Sequence, residues 1–236
     1  MAEDIAPALL EQIEKEFSRR LKIRGINPKV AIQRIRDGTL TNIHQFSNGV
    51  GDALAEAFST ITAEELPEGT MFFNIADRVM RPPIREAYEM VSDVADELQN
   101  TNNLRAGIGL KTIRPPLEED RLKGLIDAVT SGIFEDTEHY LVYPVRCLVD
   151  HFADHHMEKN AEFLDKSGLY TEVIRTAESH CCEWCSKKAG VYDGYQDAQD
   201  NEVFARHDGC RCSVEIRSGK TRGFMKKTSG HAFVRG

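Results

Sequence analysis

The sequence predicts a mainly α-helical protein whose helical body is followed by a small α+β part at the C-terminus. Apolar residues recur every three or four positions through residues 1–168, which is the period of an amphipathic helix. Two later stretches, 169–179 and 211–218, are short, β-branched and partly alternating, as strands are. Five of the six cysteines lie in or between these two stretches.

The N-terminal residues predict two helices in succession. The first is expected to begin near Pro7, and its apolar stripe comprises Leu10, Ile13, Phe17 and Leu21. The second has Asn27 as a candidate N-cap, Pro28 at the first helical position and Gly38 just past its end.

A third helix is expected over residues 41–61, with one apolar face made of Ile43, Phe46, Val50, Leu54, Phe58 and Ile61. Gly49 and Gly51 lie inside it. A glycine within a helix costs about 1 kcal/mol relative to alanine, so these two positions indicate a close approach of another helix.

In the middle of the chain, proline and glycine residues indicate where helices end. A turn is expected at 66–69, and a short helix over 72–80 should stop at Pro82 and Pro83 because a proline interrupts helical hydrogen bonding. A longer helix follows over about 84–100.

Residues 100–116 form the clearest irregular stretch, polar at first and then rich in glycine and proline. A helix over 117–132 follows and ends at Gly132. The last long helix has Pro144 near its start and Gly168 at its end. We therefore expect a helical domain over 1–168, a module with short strands over 169–218 and a basic tail over 219–236.

The charge of the chain is uneven along its length. The net charge is −8, yet residues 205–236 hold eight basic and two acidic residues, a net +6, which leaves −14 on residues 1–204. An acidic body repels nucleic acid, whereas a basic tail can contact phosphate or remain a solvated end. The sequence has no apolar run long enough for a membrane helix and begins with an acidic amphipathic segment, so we expect no signal peptide and no membrane partner.

The cysteines form two clusters with the spacing of a metal site. Cys182 and Cys185 make a C-x2-C pair, and His207, Cys210 and Cys212 follow after 21 residues. A C-x2-C pair can direct both sulfurs at one ion, and residues two apart in a strand share a face. We expect a structural zinc ion held by Cys182, Cys185 and two of the other three residues. Cys181 should point away, and Arg206 and Arg211 are placed to offset excess negative charge.

Other interpretations of the cysteines remain open. They are a redox C-x2-C pair, structural disulfides and a small buried cluster. A redox C-x2-C pair would not explain the presence of His207, Cys210 and Cys212. A reducing cytosol disfavours disulfides. A catalytic zinc keeps one position for water, which the surplus of protein ligands argues against.

Two further histidines have metal-compatible spacing. His151 and His155 lie four residues apart on the last long helix, but the H-E-x-x-H protease pattern fails because Phe152 follows His151. The favoured interpretation is an ordinary polar helix surface. A metal-dependent nuclease, using this pair or His207 with His231, is an alternative, and so is a zinc-dependent nucleic-acid-binding protein. No catalytic residues can be assigned, so we expect no enzyme.

The segments "CEWCSKKAGVYDGY" and "NEVFARHDGCRCSVEI" resemble the C-terminal C-x2-C…H-x2-C-x-C module of minor head (minor capsid) proteins of tailed bacteriophages. The matching residues are Cys182, Cys185, Gly190, His207, Cys210 and Cys212. The segments "MAEDIAPALLEQIEKEF", "MFFNIADRV" and "AGIGLKTIRPPLEEDRLKGLID" are similar to minor capsid proteins of phages of Gram-positive bacteria.

The resemblance implies a structural protein of the phage head, assembled in the bacterial cytoplasm and carried in the virion. Such proteins act in head morphogenesis near the portal and are associated with packaged DNA and its ejection. The implied partners are the portal protein, the major capsid protein or both, with double-stranded DNA at the basic tail, and the protein itself is expected to form oligomers.

Overall fold

A computed structural model describes residues 4–179, 181–207 and 209–219. The helices of this part are α1 (Ala6–Ile23), α2 (Pro28–Arg36), α3 (His44–Phe58), α4 (Phe73–Arg105), α5 (Glu119–Val129), α6 (Phe134–Thr137), α7 (Tyr143–Lys166), α8 (Glu183–Lys188) and α9 (Gly194–Asp200). The strands are β1 (Tyr170–Thr176), β2 (Gly190–Asp193) and β3 (Ser213–Gly219). The mainly α fold with a small α+β part near the C-terminus is confirmed.

Helix α3 lies at the centre of the helical body, where it packs against α1, α4 and α7. Its sequence places small and large apolar residues on several faces, so that Ala53, Leu54, Ala57 and Phe58 are all fully buried. A helix that is apolar on more than one face must be covered on more than one side. The three long helices around α3 supply that cover.

The two glycines of α3 sit where neighbouring segments come close. A Cβ at Gly51 would lie 3.4 Å from the Cα of Arg146 and 3.4 Å from the Cβ of Val149, both on α7. A Cβ at Gly49 would lie 2.3 Å from the Cδ1 of Ile26, in the turn between α1 and α2. The predicted close approach of another helix is confirmed at Gly51.

Helix α4 is one continuous helix through Pro82 and Pro83, so the predicted break there is wrong. Each proline removes one backbone hydrogen bond, but buried residues on both sides keep the same face against the core: Val79, Met80, Ile84 and Ala87. The free energy gained by burying this face outweighs the cost of the hydrogen bonds lost at the two prolines.

The same helix also continues beyond residue 100, into the stretch that the sequence predicts to be irregular. Gln99 and Asn103 are buried, and the Gln99 side-chain amide donates to Asn103 Oδ1 at 2.8 Å. Asn103 Nδ2 in turn donates to the carbonyl of Leu110 at 3.0 Å. These polar side chains are satisfied inside the fold, so the polar sequence does not end the helix there.

The C-terminal part is a three-stranded antiparallel sheet in the order β2-β1-β3. Val173 of β1 lies opposite Ile216 of β3 and Tyr192 of β2. The sheet packs against α7, and Val173, Val214 and Ile216 belong to the same buried cluster as the helices. Residues on both sides of position 168 contribute to this core. The expected domain boundary at that position stays a prediction.

The segment between the cysteine clusters is expected from the sequence to be a connecting loop, but it has regular secondary structure. It contains α8, β2 and α9, none of which the sequence pattern predicts. Strand β2 has only four residues, too few for a clear alternating pattern. Within the described residues, no helix combines the length and the apolarity needed to cross a lipid bilayer.

Replacing Gly51 with leucine should destabilise the protein by about 1–3 kcal/mol, because the side chain would push into the backbone of α7. Gly124, a helical glycine of α5, provides the matched control because a Cβ added there would have no atom within 4 Å. At Gly124 the same substitution should be neutral or stabilising by up to about 1 kcal/mol. Urea unfolding followed by circular dichroism measures both, and equal effects at the two positions would contradict the close approach.

Candidate metal centre

The first two cysteines lie at the start of a short helix. Cys182 is the N-cap residue of α8, and its sulfur accepts a hydrogen bond from the backbone N–H of Cys185 at 3.5 Å. Glu183 in the first turn and lysines in the last turn suit the helix dipole. The C-x2-C segment thus forms one helical turn that brings both sulfurs to the same side, Cys185 buried and Cys182 exposed.

The second group of candidate ligands lies in the loop that enters β3. Gly209 has a φ of 76°, a conformation that favours glycine, and the N–H of Cys210 donates to the carbonyl of His207 at 3.1 Å. The sequence predicts Cys212 within a strand over 211–218, with Cys210 on the same face, but β3 begins at Ser213. Both cysteines lie just before the strand, and both are buried.

The structure brings all five candidate ligands into two triads that share Cys185. One triad is Cys182, Cys185 and His207, the other is Cys185, Cys210 and Cys212, and in each the donor atoms lie within 4.8 Å of one another. His207 Nε2 is 3.2 Å from Cys182 Sγ and 3.0 Å from Cys185 Sγ. Cys185 and Cys210 have sulfurs 3.6 Å apart. This cluster can bind a metal ion.

The distances between neighbouring donors can be compared with those around one tetrahedral ion. Metal–sulfur bonds of about 2.3 Å and metal–nitrogen bonds of about 2.0 Å place ligand atoms roughly 3.5–3.8 Å apart. The 3.6 Å between the sulfurs of Cys185 and Cys210 lies within that range, and the 3.0 Å between Cys185 Sγ and His207 Nε2 is shorter. One ion with four protein ligands requires donors of both triads to draw together around Cys185. Cys181 belongs to neither triad.

Arg175, on β1, contributes a buried positive charge that the sequence pattern does not reveal. It is 1% exposed, and its Nη2 lies 3.6 Å from Cys210 Sγ and 3.9 Å from Cys185 Sγ. Its Nη1 donates to the carbonyls of Val203 and Ala205 at 2.5 and 2.7 Å. The sequence does place Arg175 two residues after Val173 in β1, so that both side chains lie on the inward face of the strand. That position is the one sequence feature that indicates a buried arginine.

The two arginines expected to offset ligand charge behave differently. Arg206 Nη1 lies 3.8 Å from Cys210 Sγ, which agrees with the expectation. Arg211 instead forms an ion pair with Asp52 of α3 at 2.5 Å. Arg211 therefore fastens the ligand loop to the helical body rather than compensating the sulfurs.

Trp184, between the two cysteines of the first pair, packs over the cluster. Its ring meets the His207 ring edge-on, with centroids 5.4 Å apart. The Arg175 guanidinium and the Lys188 ammonium lie over the indole, at 5.3 and 4.7 Å from its centroid. The indole thus shields one side of the cluster from solvent and is held by two cations.

The sulfurs differ in how readily they ionise. Burial raises the pKa of the Cys185 and Cys210 thiols, whereas the backbone N–H of Cys185 lowers the pKa of the Cys182 thiol. Burial opposes ionisation of Cys212, but the hydrogen bond with Cys185 leaves its pKa below the usual value. A divalent cation deprotonates its thiol ligands, so binding would reverse the effect of burial at Cys185.

A buried ion pair joins the ligand loop to α7. Arg206 contacts the buried Asp154 through both Nε and Nη2, the latter at 3.0 Å from Oδ1. The same Nη2 donates to the Cys212 carbonyl at 2.9 Å and to His44 Nδ1 at 3.1 Å. Burial lowers the pKa of His44 to about 4, so this imidazole is neutral at pH 7 and can accept that bond.

A second cluster of candidate ligands, which contains none of the cysteines, lies between α7 and α5. The sequence predicts His151 and His155 on an ordinary polar surface, but their side chains are only 15% and 13% exposed, and both face Glu118, the N-cap residue of α5. Burial lowers the pKa of both imidazoles. Burial also opposes ionisation of Glu118, but the hydrogen bond with His151 leaves the pKa of its carboxyl below the usual value.

Two sequence-based expectations fall outside the part of the chain that the structure describes. The basic tail from residue 220 onward is one, and His231, the proposed nuclease partner of His207, is the other. No protein-family model matches the chain, and searches of curated proteins and of solved structures find no match.

Replacing Cys185 with serine should abolish stoichiometric metal binding at this centre, because Cys185 is the sulfur that both triads contain. Replacing the neighbouring Cys181 with serine should leave the ion bound, since its sulfur belongs to neither triad. Elemental analysis of the purified proteins measures both. Equal metal content in the two variants would exclude Cys185 as a ligand.

Replacing Arg175 with methionine should weaken metal binding by about 10–100-fold, the range found for residues that contact metal ligands. The Arg217→Met variant, on β3, is the control because Arg217 contacts none of the candidate ligands. Competition with a chromophoric chelator gives both affinities. An unchanged affinity in the Arg175 variant would contradict its role in compensating the sulfurs.

Proposed function

We propose that this protein is a structural component of a tailed-phage head, a minor head protein whose C-terminal module is held by zinc. The observation that carries the proposal is the convergence of the C-x2-C and H-x2-C-x-C residues around Cys185. That pattern is also the part of the sequence on which the resemblance to minor head proteins chiefly rests.

Zinc is the ion that best suits this donor set. Thiolate and imidazole donors in a tetrahedral arrangement are typical of structural zinc sites. We assign Cys182, Cys185 and His207 to three positions, with Cys210 or Cys212 at the fourth. Three thiolates and one imidazole give the centre a net charge of −1, which the Arg175 and Arg206 guanidinium groups offset.

The surplus of donors supports a structural rather than a catalytic ion. A catalytic zinc has three protein ligands and a water molecule, whereas five protein donors surround this centre. The zinc would instead hold a small module, since three short strands bury little apolar surface of their own. We therefore propose no enzymatic activity for this centre.

The charge distribution supports a place between head proteins and DNA. Residues 1–204 carry a net −14 and would face portal or capsid protein, whereas the basic residues after 205 would lie near packaged DNA. The zinc centre lies between these two parts of the sequence. Its proposed role is to fix the direction in which the basic tail leaves the helical body.

The test uses the phage or prophage that encodes the protein. Mass spectrometry of purified proheads and virions should detect the wild-type chain, and it should co-purify with the portal protein. The Cys185→Ser allele should lower its incorporation at least tenfold, because the module loses its zinc, whereas the Cys181→Ser allele should be incorporated normally.

Absence of the wild-type protein from both proheads and virions would contradict the proposed role. Normal incorporation of the Cys185→Ser protein, with its zinc lost, would show that the module is not required for assembly. Salt-sensitive binding of the free protein to DNA, without incorporation into particles, would favour a nucleic-acid-binding protein that acts outside the virion.

A further inference from the structure

Three potential metal ligands converge at a place separate from the cysteine cluster. Glu118 lies at the start of α5, and His151 and His155 lie one turn apart on α7. One donor atom from each of the three lies within 4.8 Å of the other two. The sequence shows the histidine spacing but not the carboxylate, which is 33 residues away from the nearer histidine.

The three donors face one another at distances that bracket those around a bound ion, with His151 closer to Glu118 than an ion would allow and His155 farther away. Metal–nitrogen and metal–oxygen bonds of about 2.0–2.2 Å place tetrahedral ligand atoms roughly 3.4 Å apart. His155 Nδ1 lies 3.8 Å from Glu118 Oε2, and His151 Nε2 contacts the same oxygen directly. Small side-chain rotations would bring all three donors to bonding distance of one ion.

Hydrogen bonding alone does not account for the position of His155. Glu118 Oε2 already contacts His151, and it accepts a hydrogen bond from Arg121 Nε at 3.0 Å. The His155 side chain makes no hydrogen bond with any described residue, yet its ring stacks on that of His151, 9° from parallel, with its Nδ1 facing the shared oxygen. Two largely buried imidazoles and a carboxylate facing one point are the donors that zinc binds.

We propose that Glu118, His151 and His155 form a second metal site, which binds a divalent transition-metal ion such as Zn²⁺. It shares no ligand with the cysteine centre and does not depend on the proposed role in the phage head. Its donors are two nitrogens and one oxygen, a set that leaves a fourth coordination position for water or a small anion.

One ligand of the site, His151, borders a groove in the protein surface. His151 and Arg121 line a groove of about 480 Å³ that extends along α7 to His207. Arg121 already contacts the carboxylate of the site, so it would orient Glu118 and provide a positive charge beside an anionic ligand. At the cysteine centre, by contrast, protein donors are numerous enough to fill all four positions of a tetrahedral ion.

The experiment measures zinc bound per chain after equilibration of the full-length protein with Zn²⁺ and gel filtration. The wild-type protein should bind two ions, and the His155→Ala and Glu118→Gln variants one. Glu118→Gln keeps a hydrogen-bond acceptor for His151 and Arg121 but removes the carboxylate charge, so the variant should fold and lose the second ion. His139→Ala is the matched control, because His139 lies outside the cluster, and it should bind two.

Cobalt spectra separate the two sites. The second equivalent of Co²⁺ should add visible d–d absorption without adding sulfur-to-metal charge transfer, because no thiolate is among its ligands. In a Cys185→Ser background one ion should remain, and His155→Ala should remove it. One ion in the wild-type protein, or the same zinc content in wild type, His155→Ala and Glu118→Gln, would overturn the proposal, as would charge transfer from the second equivalent.

Discussion

The crowding of donor atoms around the Cys185 sulfur is the constraint on which the C-terminal part of the protein depends. Both triads contain this sulfur, with an imidazole at 3.0 Å and another sulfur at 3.6 Å. Burial raises the pKa of the thiol, so without a cation the protonated state is favoured and the contacts among the ligand atoms themselves are weak sulfur hydrogen bonds. A divalent ion would replace them with coordinate bonds and would join α8 to the loop that precedes β3.

Buried charged side chains connect the candidate metal centre to the helical body. Arg206 contacts Cys210 and Cys212 on one side and the buried Asp154 on α7 on the other. Removing one partner of such a buried pair generally costs about 3–5 kcal/mol, because the other charge is left uncompensated. The sheet also shares its apolar core with the helices. The position of the sheet on the helical body is therefore coupled to the geometry of the candidate ligands.

The sequence predicted what depends on local pattern and could not predict what depends on tertiary contact. Apolar periodicity located the long helices, and cysteine spacing identified five residues that the structure brings together. Helix α4 passes through Pro82 and Pro83 because its neighbours bury both halves on one face, which no local signal reports. Arg175 and Glu118 were missed for the same reason, since each meets its cluster only through packing between distant segments.

X-ray absorption at the zinc edge of the purified, reduced protein measures which atoms bind the ion at the cysteine centre. To isolate the cysteine centre, the measurement uses the Glu118→Gln variant loaded with one equivalent of zinc. We expect three sulfur ligands at about 2.3 Å and one nitrogen ligand at about 2.0 Å, with no water bound to the zinc. A spectrum dominated by nitrogen and oxygen ligands, or a protein that retains no zinc, would contradict it.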